Sequence, residues 1–240
     1  MPVDLRYLAL VDELWTAMRL IRIGLRELQH SSAANEHYHA IMLLLASGLE
    51  RFLKVTLVVR YFEEHGQYPN KLLWPKNRSG HNLTPLLDDV VSNCFSAEYV
   101  ARVPSGRKDH TFLSGDERLR ALVGLLSDFG QRARYHNLDV ACGRVRPSAA
   151  PEDEWDRIAT TIMKDEPELE AKLGSAEGYA KAEASIACEL LRTFERLARA
   201  VARLYTIGRM GPKALQLSGM LGPFLTYSDR DLGTKDYAQQ

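Results

Sequence analysis

Residues 37–66 read HYHAIMLLLASGLERFLKVTLVVRYFEEHG, the longest apolar stretch of this 240-residue chain. Between Ile41 and Phe62 the stretch has no proline and a single glycine, Gly48, and its density of leucine and alanine favours a helix. It is also much longer than a typical strand of about 4 to 8 residues. The sequence therefore predicts a buried helix over about residues 36–64.

Three charged residues within this stretch decide between a membrane span and a core helix. A membrane-spanning helix needs about 20 nearly uncharged residues, whereas Glu50, Arg51 and Lys54 interrupt the apolar run after Leu49. We therefore expect a core helix of a soluble protein and no membrane among its partners.

Helical periodicity also marks both ends of the chain. From Val3 to about Leu28, apolar residues including Leu5, Leu8, Leu14 and Trp15 recur at three- and four-residue steps, which predicts a first long helix antiparallel to the central one. A last long helix is predicted over about residues 176–207, with Ser175 as its N-cap. The sequence thus predicts an all-α helical bundle of long antiparallel helices. Residues 1–222 form one helical domain in this interpretation, and 223–240 form a polar tail.

The middle of the chain predicts shorter elements. Residues 103–114 are polar and basic and are interpreted as a loop. Ser114 and Glu117 have the spacing of a capping box, which predicts the start of a helix that runs to about Tyr135.

Composition limits the classes of function. The 31 basic and 31 acidic side chains give zero formal net charge, which argues against a broad basic surface for nucleic acid but not against a local basic patch. Three cysteines without a CxxC pair suggest neither disulfides nor a thiolate zinc site, and the acidic N-terminal stretch does not resemble an export signal. We expect a cytoplasmic protein.

Neither a cofactor nor a metal is predicted. The sequence contains no phosphate-cradling glycine loop, nucleophile elbow or dinucleotide-binding fingerprint. His37 and His39 are two residues apart and so point to different sides of a helix, and no HExxH pair occurs.

The last long helix carries a stripe of arginines opposite its apolar face. Guanidinium groups on one face can follow phosphates and bind RNA, DNA or another anion. The alternative is a solvated helix face on which Glu189 and Glu195 pair with the arginines. The stripe consists of Arg192, Arg196, Arg199 and Arg203.

Two polar groups elsewhere are candidate sites. Glu50 and Lys54 are one helical turn apart. They are interpreted either as an ion pair at the rim of the core or as part of a site in which Glu50 is the carboxylate. Helical spacing also places Arg132 and His136 on one stripe, where histidine could move a proton and arginine could stabilise charge on phosphorus. A capped helix end with a salt bridge is the alternative there.

Three segments resemble the HEPN family, the higher eukaryotes and prokaryotes nucleotide-binding domains. They are residues 49–54 (LERFLK), 80–87 (GHNLTPLL) and 134–137 (RYHN). The resemblance spans about residues 38–139 and implies a small all-α protein of prokaryotic defence or stress response, often a homodimer, whose partners are RNA, a nucleotide or another protein. The binding positions it suggests include His81, Tyr135 and Asn137, beside Glu50 and Lys54.

Active members of that family cut RNA without metal through an Arg-x4-6-His motif. In this chain only Arg60 to His65 has the spacing, and Arg132 to His136 is one residue too short. Our first hypothesis is therefore a protein that acts by binding. A metal-independent ribonuclease is the alternative, with His136 or His65 as acid/base and Arg132, Arg134 or Arg60 stabilising charge. A purely structural interaction module is the third.

Overall fold

The computed structural model confirms the all-α class. No strand occurs among the residues that the structure describes, which are 4–31, 38–71, 73–74, 81–144, 150–165, 167 and 175–237. Two 3-10 turns, Ala133–Tyr135 and Ser218–Leu221, interrupt the helices. The helices are α1 (Leu5–Gln29), α2 (Tyr38–His65), α3 (Leu83–Cys94), α4 (Ala97–Arg102), α5 (Pro104–Gly115), α6 (Glu117–Gln131), α7 (His136–Ala141), α8 (Pro151–Lys164), α9 (Ala176–Leu204), α10 (Pro212–Leu217) and α11 (Gly222–Leu225).

Two glycines let α1 and α2 pack closely as an antiparallel pair. A Cβ atom added to Gly24 would lie 2.8 Å from a methyl carbon of Leu45. One added to Gly48 would lie 2.8 Å from Cγ1 and 2.9 Å from the backbone nitrogen of Ile21. Because real Cβ atoms do not come this close to other atoms, the separation of the two helices depends on glycine at both positions.

Helix α2 occupies the position predicted for the central helix, apart from residues 36 and 37, which lie outside the described residues. It packs against α1, α3, α6 and the short α10. Leu45, Phe52 and Val59 are fully buried along it. The buried hydroxyl of Thr56 lies 2.9 Å from the hydroxyl of Tyr205, which links α2 to the end of α9.

The prediction of a loop over residues 103–114 is wrong, because α5 occupies this segment. Glycine, serine and charged residues give the segment a weak intrinsic helix preference. Pro104 nevertheless stands in the first turn of the helix, where its missing N–H costs nothing, and Phe112 and Leu113 are buried. Tertiary burial of one face therefore outweighs the local preference.

Both predicted ends of the following helix also need correction. Asp116, not Ser114, caps α6, since its carboxylate accepts the N–H of Leu119 at 2.9 Å. The hydroxyl of Ser114 instead donates to the carbonyl of His110 in the last turn of α5. Helix α6 ends at Gln131, and Arg132 leaves the helical conformation with φ −141°.

The C-terminal residues that the structure describes, up to 237, pack on the helices, although the sequence suggested a polar tail. Tyr227, Leu232 and Tyr237 are buried. The side chain of Gln29 on α1 donates to the carbonyl of Lys235 and accepts the N–H of Tyr237. We call residues 226–237 the C-terminal segment.

Glu195 of α9 fastens this segment to the core. The carboxylate is fully buried and accepts the N–H of Gly233 at 2.5 Å and the hydroxyl of Tyr237 at 2.8 Å. Burial raises the pKa of Glu195 above its ordinary value, and the two hydrogen bonds oppose that rise.

We predict opposite effects of alanine at two helical glycines. Gly48→Ala should destabilise the fold by about 1–3 kcal/mol, because the methyl group forces α1 and α2 apart. Gly124→Ala on α6 is the matched control, since nothing lies within 4 Å of the added Cβ, and it should stabilise the fold by up to about 1 kcal/mol through helix preference. Denaturant unfolding measures both, and equal effects would contradict the close packing.

We predict that Glu195→Ala costs about 1–3 kcal/mol of unfolding free energy, because it leaves two buried donors without an acceptor. Glu195→Gln should cost much less at neutral pH, since the amide can accept from Gly233 and donate to Tyr237. The raised pKa means that the folded carboxyl binds its proton more tightly than the unfolded one. The wild type should therefore gain stability relative to Glu195→Gln as pH falls from neutral through the folded pKa, and a difference independent of pH would contradict this.

Candidate functional site

The arginine stripe of α9 lines a cleft instead of facing open solvent. The cleft has a volume of about 1070 Å³ and lies between α5, α6, α8, α9 and the C-terminal segment. All four arginines of the stripe contribute to its wall.

Arg199 is the most deeply buried of the four, with 2% of its side chain exposed. Its guanidinium donates to the carbonyl of Tyr227 at 3.1 Å and to the carboxylate of Asp229 at 2.6 Å. Its Nε is buried without a hydrogen-bond partner among the described residues. A buried guanidinium is costly unless it is paired. The C-terminal segment therefore stabilises buried Arg199 by providing the carbonyl of Tyr227 and the carboxylate of Asp229 as acceptors.

Arg203 pairs with a buried carboxylate on α5. Both oxygens of Asp109 accept from its Nη1, at 3.0 and 3.2 Å, and the Asp109 side chain is 2% exposed. Burial raises the pKa of Asp109, against the lowering effect of Arg203. At Asp229, by contrast, the hydrogen bond from Arg199 is the main cause of a lowered pKa.

Arg118 of α6 joins three helices at the far side of the cleft. It donates to Asp165, which follows α8, at 2.8 Å and to Glu189 of α9 at 3.0 Å. Glu189 also pairs with Arg192, whose Nε donates to the carbonyl of Leu232. This network fixes the width of the cleft through side chains far apart in sequence.

Two cations of the cleft wall differ from the others. Lys108 and Arg196 have no carboxylate partner within 4 Å among the residues that the structure describes. The guanidinium carbon of Arg196 lies 3.9 Å from the ring centroid of Phe112, a cation–π contact. Lys108 precedes Phe112 by four residues on α5, so both rise from one helix face.

The formal charges of the described cleft wall balance. Six cations face six carboxylates, so the cleft has no broad positive field, and recognition of an anion there must be local. The cations are Lys108, Arg118, Arg192, Arg196, Arg199 and Arg203, and the carboxylates are Asp109, Asp116, Glu117, Asp165, Glu189 and Asp229.

The candidate group on the central helix forms a separate cluster. The two oxygens of Glu50 accept from Lys54 at 2.6 Å and contact Nδ1 of His81 at 2.9 Å. Lys54 also lies 4.8 Å from the ring centroid of Trp74. The structure therefore brings Glu50, Lys54 and His81 together, as an ion-pair network at the rim of the core.

The segment from Arg132 to Asn137 does not continue the stripe predicted for it, because α6 ends before it. Arg132 pairs with Asp128 at 2.6 Å, and Arg134 lies over the ring of the exposed Tyr135. His136 begins α7, and its Nδ1 is buried without a hydrogen-bond partner among the described residues. Asn137 is exposed.

Arg60 and His65, at the end of α2, each contact a different neighbouring residue. Arg60 pairs with Glu64 at 2.6 Å. The His65 ring stacks on Tyr61 with the centroids 4.0 Å apart, and its Nδ1 lies 2.9 Å from the carbonyl of Tyr61. Since five residues on a helix turn through about 140°, the two side chains leave α2 in different directions.

Sequence reasoning found the arginines but missed the residues that complete the cleft. Lys108, Asp109 and Phe112 lay in a segment interpreted as a loop, and Asp229 lay in the presumed tail. Pro104 followed by apolar residues at 112 and 113 is the signal that could have indicated α5.

Comparisons with known proteins add no assignment. No protein-family model, curated protein or solved structure matches this chain significantly.

Within the described parts of the chain, no helix has the length and hydropathy needed to cross a membrane. The same residues bring no three histidine, cysteine, aspartate or glutamate side chains together as a metal site.

Proposed function

We propose that this protein is a cytoplasmic, HEPN-like binding protein whose cleft holds a phosphate group of RNA or of a nucleotide. The observation that carries the proposal is the pair Lys108 and Arg196, two cations on the cleft wall without a carboxylate partner among the described residues. The other four cations of this wall differ from that pair, because each has an acidic partner: Arg118, Arg192, Arg199 and Arg203.

The contact between Arg196 and Phe112 holds the guanidinium in an orientation that can bind an anion. A guanidinium stacked on an aromatic ring keeps its N–H edges available, and those edges match two oxygens of a phosphate. Phe112 is 5% exposed, so the ring is a fixed support. Lys108, one turn earlier on α5, supplies a second positive charge nearby.

Arg199 is a third cation for the proposed phosphate site. Its partner Asp229 is 74% exposed, and its own Nε has no hydrogen-bond partner among the described residues. A phosphate at Lys108 and Arg196 could compete with Asp229 for Arg199, while Tyr227 keeps the guanidinium in place.

The size of the cleft suits a small ligand or the end of a strand. Small-molecule sites are commonly about 300–1,000 Å³, and this cleft measures about 1070 Å³. A purely structural role would suit a flat or convex arginine surface better than a concave one with a buried arginine.

Binding is favoured over cleavage, because no histidine lies among the described residues of the cleft wall. The ribonuclease alternative requires an arginine and a histidine at one phosphate. Its candidate pairs, Arg132 with His136 and Arg60 with His65, lie outside the cleft wall. The two arginines pair instead with Asp128 and Glu64.

We predict that Lys108→Ala and Arg196→Ala each weaken binding of a fluorescently labelled single-stranded RNA, or of AMP, by about ten- to a hundredfold, the loss of one charge-assisted contact. Fluorescence polarisation measures the RNA and calorimetry the nucleotide. Each variant should also reduce the slope of log affinity against log salt by about 1 for RNA.

Arg102→Ala, at an exposed side chain of α4, is the matched control and should change affinity by less than about twofold. Equal losses in the control and the cleft variants, or no binding of either probe by the wild type, would overturn the proposal. RNA products formed in EDTA and abolished by His136→Ala or His65→Ala would support the ribonuclease instead.

A further inference from the structure

The outer face of α1 exposes large apolar side chains that a first helix of a closed fold would be expected to bury. The exposed fractions are 76% for Leu5, 44% for Leu8, 51% for Trp15 and 42% for Ile23. The sequence placed Leu5, Leu8 and Trp15 on the core stripe, and the structure places them away from it. At 3.6 residues per turn, all four lie within an arc of about 80°.

Three charges share this face, the acidic Asp12 and the basic Arg19 and Arg26. Asp12 and Arg19 are exposed and form no ion pair with any residue that the structure describes. They are two helical turns apart, about 10 Å along the axis, which is too far for them to pair with each other. Each is therefore available to an opposite charge on another molecule.

The order of these residues is self-complementary. Consider a second α1 laid antiparallel on the first, with a two-fold axis between Trp15 and Thr16. Asp12 then faces Arg19 of the second copy, and Arg19 faces Asp12 of the second copy. In the same register Leu8 faces Ile23 of the second copy, Leu5 faces the exposed Arg26, and the two Trp15 side chains meet beside the axis.

A two-fold axis requires such self-complementarity, because each contact occurs twice with the partners exchanged. The other register that gives Asp12 a basic partner on this face sets it opposite Arg26, and it would place the two Arg19 side chains opposite each other. The charges thus select one register of an otherwise apolar contact.

We propose that the outer face of α1 is a docking surface for a second copy of this chain, which packs antiparallel through Trp15 and the pair Asp12 with Arg19. The surface is remote in sequence from the arginine cleft, so the inference does not depend on the proposed function. A single helix face is at the small end of specific interfaces, so we expect a weak, concentration-dependent dimer.

The test uses charge reversal on the full chain, with sedimentation velocity over a concentration series up to about 500 μM. Asp12→Arg and Arg19→Asp should each weaken the dimer by at least about tenfold, since each variant creates two like-charged contacts. An equimolar mixture of the two variants should associate again, because the reversed charges complement each other across the axis.

The double variant Asp12→Arg with Arg19→Asp should also restore the dimer, since each chain then carries both partners in exchanged positions. Asp89→Arg, an exposed reversal on α3, is the matched control and should leave association unchanged. Circular dichroism checks that each variant folds.

Recovery in the mixture and in the double variant would establish the register, because a nonspecific charge effect does not predict it. A wild-type monomer over the whole concentration range would overturn the inference. So would a dimer that Asp12→Arg and Arg19→Asp leave unchanged, since it would use another face.

Discussion

The burial of two charges on one helix is the constraint on which the functional part of this structure depends. Glu195 and Arg199 of α9 are both almost fully buried. Each would cost several kcal/mol if it were left without partners in the interior. Their partners are Gly233, Tyr237, Tyr227 and Asp229, all in the C-terminal segment. The end of the chain must therefore return to α9, and one wall of the cleft is the result.

The same constraint explains why the cleft is neutral overall and yet suited to an anion. Internal carboxylates compensate the arginines that would otherwise repel one another, so the cleft is stable without a ligand. Among the described cations of the cleft wall, only Lys108 and Arg196 lack such a carboxylate, and Arg196 lies over the ring of Phe112. An anionic ligand would then be recognised by Lys108 and Arg196 and not by a broad positive field, which agrees with the zero formal net charge of the chain.

The long, periodic elements could be predicted from the sequence, and the contacts that build the cleft could not. Helices α2 and α9 have continuous patterns, so their existence and approximate bounds followed from periodicity alone. Helix α5 has a weak local preference and forms because tertiary contacts bury Phe112. Asp109 and Arg203 are 94 residues apart, and no local pattern indicates that they meet. On α1, periodicity identified a helix but not which of its apolar residues would be buried.

The most direct test of the central claim is a crystal structure of the protein with AMP or a short 5′-phosphorylated RNA. The account predicts a phosphate within hydrogen-bond distance of both Lys108 Nζ and the Arg196 guanidinium, with Phe112 still stacked beneath Arg196. A phosphate bound elsewhere, for example between Arg134 and His136, with Lys108 and Arg196 left in solvent, would contradict it.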